Sequence, residues 1–354
     1  MQIRFYLAAG VAALSIASMS ATPAHAQETT SSVRGSVESA NGPVGGATVT
    51  VVHEPSGTTA SSSTNADGTF AANGLRVGGP FTVTVDADGF QSAQVTDLYL
   101  QAGQPFRLPV TLEAQQEIVV TASAIRGAVE TSNGPITALG RDEIDGAASI
   151  NRDIRDLARR DPLVSLDLTN SRLNRFSVDG VQFSDDFGLN NGGLPTSRGP
   201  VPYDAIEQFS VKVAPFDIAE GDFQGGAINV VLRSGGNKFR GGAFYTYTDD
   251  SLTGDSSRGR NINLNFDSKQ YGGWVSGPII KDKLFFMAAY EKTKESDPFD
   301  DGFGPGYANQ VPGLTHTVID QVSSVAQSRY GYDTLGLEPN ATEEDEKIIA
   351  KLDW

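Results

Sequence analysis

Asp179, Asp185 and Asp186 are three carboxylates close enough along the chain to chelate a cation or to share a proton as an acid–base pair. No His or Cys stands near them, so a solvated loop is the simpler reading and the triplet does not define a metal site. Beyond residue 26 the chain has only His53 and His316, in unrelated segments, which gives no footing for a Ser-His-Asp triad or a His-rich metal centre. DADG at 86–89 hints at a calcium loop, but its glycine falls two places early for an EF-hand and no Glu closes the loop; it reads as a turn. Cysteine is absent, which removes thiolate chemistry and disulfides. No P-loop, G-x-G-x-x-G or G-x-S-x-G is complete. These residues supply no catalytic site, no metal and no cofactor, and an enzyme is not expected. One further stretch, EIVVTASAIR at 117–126, raises a different question. It is a strand-forming handful of residues in what reads as a connector, with no hairpin partner nearby; a last strand of a preceding sandwich would look much the same.

The elements around these residues follow from composition and period. Lys plus Arg is 27 and Asp plus Glu is 43, a formal charge of −16, which argues against a nucleic-acid partner. Glycine is abundant at 39, and short polar–apolar alternations run through the chain, so the fold is expected to be mainly β. Arg4, the short apolar run FYLAAGVAAL at 5–14 and AHA at 24–26 have the order of a signal peptide, with cleavage expected after Ala26. No later apolar run has spanning length, which leaves a β-barrel as the way this chain could cross a membrane.

Three stretches follow. SVRGSVES (31–38), ATVTVVH (47–53), TTASSST (58–64), GTFAANG (68–74), FTVTVDA (81–87) and FRLPVTL (106–112) read as short strands between turn formers, the pattern of a small β-sandwich. In INRDIRDLARR (150–160), Ile150, Ile154 and Leu157 predict a short helix capped by Ser149, with its basic residues on a solvated face. RFSVDGV (175–181), IEQFSVKVA (206–214) and GAINVVLRSG (226–235) return to strands. FRGGAFYTYT (239–248), NINLNFD (261–267) and KLFFMAAYEK (283–292) alternate cleanly. This matches transmembrane β-barrel strands with apolar residues out and polar residues in, and Tyr245, Tyr247 and Tyr290 could form an aromatic girdle. A water-soluble sandwich would show the same alternation. A tight turn is expected at Gly277-Pro278 or Lys281-Asp282, a loop-like acidic region over 295–345 with one helix near 318–331, and a final strand over 347–354.

The sequence resembles known families in two places. The order RGSV, GGATVTV, TNADGTF and FTVTVDADGF within 31–113 resembles the carboxypeptidase regulatory-like domain, a transthyretin-type sandwich. SVDGVQFSDDFGL (177–189) and YDAIEQFSVKVAPFDIAEGDFQGGAINVVLRSGGNKFRGGAFY (203–245) resemble the plug and first barrel strand of TonB-dependent outer-membrane receptors, closest to the Oar-like group. WVSGPIIKDKLFF (274–286) is similar to a hairpin of the same family.

The resemblance implies a transthyretin-like β-sandwich (31–113), a linker (117–126), an α+β plug domain (127–238) and the first strands of an incomplete transmembrane β-barrel (239–354) behind the signal peptide (1–26). About 22 strands enclose a plugged lumen, so an N-terminal fragment is expected. Glu117, Ile118, Val119, Val120, Thr121 and Ala122 match a TonB box, which implies pairing with TonB, energised by ExbB–ExbD, in the periplasm. The resemblance further implies a place in outer-membrane lipid, with the N-terminal domain periplasmic, and an extracellular ligand of unknown identity. Two alternatives stand beside uptake: an adhesive or structural envelope protein with a carbohydrate-binding-like sandwich, and an Oar-like role in export.

Overall fold

The computed structural model describes residues 29–114, 121–122, 136–160, 174–183, 185, 194–212, 226–254, 256–257, 260–261, 266–299, 301–304, 309–334 and 340–354. Alternation builds the first unit. Its strands are β1 (Ser31–Ser39), β2 (Gly42–Pro43), β3 (Thr48–His53), β4 (Thr58–Ser63), β5 (Thr69–Leu75), β6 (Gly78–Asp86), β7 (Ala93–Leu100), β8 (Pro105–Leu112) and β9 (Thr121–Ala122). One sheet runs β2-β1-β5 with β8 added parallel to β1; the other runs β4-β3-β6-β7-β9. Val49 and Val51 of β3, Phe81 and Val83 of β6, and Leu98 and Leu100 of β7 meet Val33, Val37, Phe70 and Leu108 of the facing sheet. Each such side chain stabilises the unit by about 1.5–3 kcal/mol when fully buried. Gly35 lets the layers close: a Cβ there would stand 1.9 Å from the Leu108 carbonyl oxygen and against the Phe70 ring.

Strand β7 was not anticipated. Asp97 sits mid-strand at φ 58, and pairing with β6 slips twice, so the alternation that marks a strand is broken.

The middle unit contains β10 (Ile136–Leu139), α1 (Arg141–Asp145), α2 (Ile154–Ala158), β11 (Arg175–Val178), β12 (Val181–Gln182), β13 (Ile206–Lys212) and β14 (Ala227–Leu232). Its mixed sheet has the order β10-β13-β14-β11-β12, with β11 and β14 parallel. Ile144, Ile154 and Leu157 pack from the helices onto Phe176, Phe209 and Val230 of the sheet. The predicted helix over 150–160 is shorter than its period suggests. Asp153 caps it, accepting from the Arg155 amide at 2.8 Å, while Ser149 lies one turn earlier and donates to Asp156. Ile150 is 84% exposed and outside the helix, and Arg152 takes a left-handed φ of 51, which a helix cannot include.

The third unit is a meander of long strands. It comprises β15 (Arg240–Asp249), the short pair β16 (Ser256–Ser257) and β17 (Arg260–Asn261), β18 (Asp267–Ile280) and β19 (Leu284–Pro298). The pair β20 (Asp301–Gly302) and β21 (Asn309–Gln310), α3 (His316–Tyr330) and β22 (Asn340–Asp353) complete it. The long strands pair antiparallel in the order β15-β18-β19-β22. The turn falls at Lys281–Asp282, with Asp282 left-handed at φ 62, while Gly277-Pro278 remains inside β18. The acidic region after 295 is less loop-like than its sequence suggests: β19 continues to Pro298 and β22 begins at Asn340. Most of NINLNFD lies outside the described residues. No helix among the described residues is long and apolar enough to cross a membrane, which says nothing of strands.

Candidate functional site

The period-2 geometry of a strand gives the β15–β22 wall two faces. On β19, Phe285, Met287, Ala289, Glu291 and Thr293 are buried, whereas Leu284, Phe286, Ala288 and Tyr290 point the other way and are half-exposed. Register carries that outer face across neighbouring strands: Ala288 opposes Val275 and Ala350, Tyr290 opposes Ile348, and Phe286 opposes Leu352. Val275, Ile348, Leu352 and Tyr245 are exposed there, an unbroken apolar surface. It ends where Lys292 faces Glu346 and Lys294 faces Glu344. Tyr290 stands at that border and donates its hydroxyl to Glu346 at 3.0 Å. A lipid-facing band with an aromatic rim has this arrangement.

The inner face departs from the polar-in expectation. Near the Lys281–Asp282 turn it is apolar, because Met287 and Ala289 complete the hydrophobic cluster of the mixed sheet. Farther along it becomes a seam of charge. Glu291, 3% exposed, lies 3.1 Å from Lys347 of β22 and 3.4 Å from Arg152, and accepts from the Tyr203 amide at 3.1 Å. Arg152 also pairs with Asp204 at 2.8 Å and lies 3.6 Å over the Phe244 ring of β15. Its left-handed backbone aims the guanidinium into this seam instead of onto a solvated helix face. Asp179, in the β11–β12 turn at φ 43, accepts from the Leu232 amide at 2.9 Å and pairs with Lys351 of β22 at 3.0 Å. So Asp179 is a clip to the wall. Asp185 is buried and Asp186 lies outside the described residues. Among the described residues no cluster of three or more His, Cys, Asp or Glu could hold a metal.

The sandwich joins both other units. Asn237, just before β15, donates its amide to the Pro55 carbonyl at 2.6 Å and its side chain to the Ser56 carbonyl at 2.9 Å. Its side-chain oxygen receives the Asp282 amide at 2.8 Å. Beneath that loop His53 is buried, bonded to Ser56 Oγ at 2.7 Å and stacked near Phe81. Burial, with Arg76 and Arg240 nearby, lowers its pKa to about 4, so the imidazole is neutral at physiological pH. None of this latch was visible in the sequence; His53 offered only the weak signal of an apolar-face histidine.

Of the six residues singled out in the linker, Glu117, Ile118, Val119 and Val120 lie outside the described residues. Thr121 and Ala122 form β9 and are not alone: they pair parallel with Gln94 and Val95, at the edge of the second sandwich sheet.

Comparison with known proteins gives these units their context. Residues 32–113 match the carboxypeptidase regulatory-like domain, and residues 231–313 match an outer membrane beta barrel domain. The TonB-dependent transporter Oar of Myxococcus xanthus is 30% identical over 137 residues, which is 36% of this chain and 12% of that protein. Over that stretch the chain is similar to a TonB-dependent transporter. The chain spans 12% of the length of the curated relative it matches. Among solved structures, the siderophore receptor PirA from Acinetobacter baumannii is 20% identical, over 47% of this chain and 25% of its own, at a TM-score of 0.34. Hydroxyquinol 1,2-dioxygenase from Pseudomonas putida is 11% identical over 25% of this chain and 58% of its own, at 0.20. Neither score carries an argument. The barrel-domain match supports an outer-membrane location, and the curated relative is a transporter.

Proposed function

We propose that this chain acts as a TonB-dependent outer-membrane receptor, taking up an extracellular ligand with energy delivered through TonB and the ExbB–ExbD complex. The observation that supports this best is the two-faced wall. Its outer face is apolar up to Tyr290, and its inner face holds the mixed sheet of 136–232 by the Glu291–Lys347–Arg152 seam. A barrel wall holding a plug needs both faces. On this reading residues 1–26 are a signal peptide cleaved after Ala26, the 31–113 sandwich is periplasmic, 117–126 is the coupling linker, 127–238 is the plug and the wall begins at 239.

Glu117–Ala122 then serve as the coupling strand, and β9 supports that role. It is the last strand of its sheet, so one of its edges is unpaired among the described residues and accessible to an added strand. The test is Val119→Pro and Val120→Pro in the full-length protein. Proline supplies no N–H to a ladder, so capture of the purified periplasmic domain of TonB should be lost, and uptake dependent on the proton-motive force with it. Unchanged TonB capture by both variants would overturn the assignment.

A further inference from the structure

A cavity of about 280 Å³ opens between the sandwich and the mixed sheet. Its apolar side is Leu98, Leu100 and Phe106 of the sandwich; its other side is the start of α1 and the first residues of β13. Pairing of β13 with β14 skips a residue, Ile206 opposing Leu232 and Gln208 opposing Val231, so Glu207 is the extra residue of a β-bulge. A bulge re-aims side chains, and here both Glu207 and Gln208 line the cavity.

Both present polar groups without partners. Gln208 is 2% exposed; its Oε1 accepts from the Ala102 amide at 2.8 Å, while its Nε2 is buried with no acceptor. Arg141, which also lines the cavity, has its Nε likewise buried without an acceptor. Glu207 accepts no hydrogen bond from a described residue. Its carboxylate presses on the backbone of Gly78, where a Cβ would lie 2.6 Å from Oε1 and φ is +90. Burial pushes this carboxyl above its ordinary pKa, since Arg233 and Arg141 offset the lost hydration only in part. The rim adds Asp97, Asp142 and Glu143. The cation lining the cavity, Arg141, is committed: it donates to the Ile206 carbonyl at 2.8 Å and pairs with Asp145.

We propose that this cavity binds a small ligand carrying a primary ammonium beside a hydrogen-bond-accepting oxygen, with a short apolar body. The ammonium meets Glu207, the oxygen accepts from Gln208 Nε2 and Arg141 Nε, and the apolar body lies on Leu98, Leu100 and Phe106. Buried polar groups left unmatched penalise a ligand that lacks either function. The acidic rim draws cations and turns away carboxylates. The site lies apart from the wall seam and does not depend on the coupling role of 117–122.

The probe is leucinamide, which has the ammonium, the carbonyl and an isobutyl group. Its controls are 4-methylpentanamide, which lacks the amine, and leucine, which adds a carboxylate. Calorimetric titration of the detergent-solubilised chain should show saturable leucinamide binding at least about tenfold tighter than either control, the scale set by pairing a buried charge. Glu207→Gln, which keeps the volume and removes the charge, should abolish that preference, and Asp97→Asn should reduce it less. Should Glu207→Gln fail to fold, the ranking of the three probes on the wild-type chain decides alone. Absence of saturable leucinamide binding, or equal binding of leucinamide and 4-methylpentanamide, would overturn the proposal, as would a full preference retained in a folded Glu207→Gln.

Discussion

The sandwich core and the seam between the mixed sheet and the wall are both buried, yet they are held by different forces. Between the sandwich sheets the core is valine, leucine and phenylalanine, from Val33 to Leu112, with no charged group inside. At the seam the cluster of the mixed sheet borrows Met287 and Ala289 from the wall and then gives way to Glu291, Lys347, Arg152 and Asp204. Apolar burial is non-directional and sums into a large stabilisation. A buried ion pair gains little net energy over an apolar contact but is strict about geometry. The first unit is therefore built to stay folded, and the second to fix one docked arrangement without great adhesion.

Three substitutions test this contrast, the most damaging first. Phe81→Ala, in the middle of the sandwich core, should cost about 3–5 kcal/mol. Thermal melting should show the sandwich transition lowered, while protection of the β18–β19 amides from hydrogen exchange stays unchanged. Glu291→Ala leaves Lys347 and Arg152 buried without their shared carboxylate and should cost about 3 kcal/mol. Replacing the Glu291–Lys347 pair with Met and Leu should restore or exceed the original stability. If the double replacement is as harmful as the single one, the seam contributes adhesion and not only geometry.

The smallest effect concerns His53. Its folded pKa lies below its unfolded value of 6.5, so between the two the unfolded chain binds more protons and stability rises with pH. Acidification from pH 7 to pH 4 should therefore remove about 3 kcal/mol from the sandwich, most of the loss falling in that window. His53→Gln should flatten the acid limb of the melting profile. An unaltered limb would show that the imidazole is not the group responsible.

How much of this could be read beforehand depends on whether an element answers to its own residues. β3 and β6 could be read because Val49, Val51, Phe81 and Val83 bury against a facing sheet and keep a strict period of two. The early half of β22, NATEEDE, has no such period. It is a strand because its backbone pairs with β19 and because Lys292 and Lys294 meet Glu344 and Glu346 across the ladder. Helix α2 was overestimated because Ser149 and Asp153 are both good caps. The left-handed Arg152 decides between them, and its guanidinium lies against Glu291, 139 residues away. The seam and the amine cavity are non-local in the same sense: their polar residues resemble loop and strand surface until the sheets bring them together. Of the linker residues 117–122, Thr121 and Ala122 are described, and they extend the sandwich sheet beside Gln94 and Val95, the alternative that the strand signal left open.

Arg152 has one more consequence. A non-glycine residue at φ 51 sits about 1–2 kcal/mol above its relaxed backbone, and what holds it there is its grip on Glu291 and Asp204. Once that grip is broken, the residue has a relaxed conformation to fall into, so the docked state works like a cocked latch. Displacing the mixed sheet from the wall need only loosen the guanidinium, and the backbone itself supplies part of the recoil.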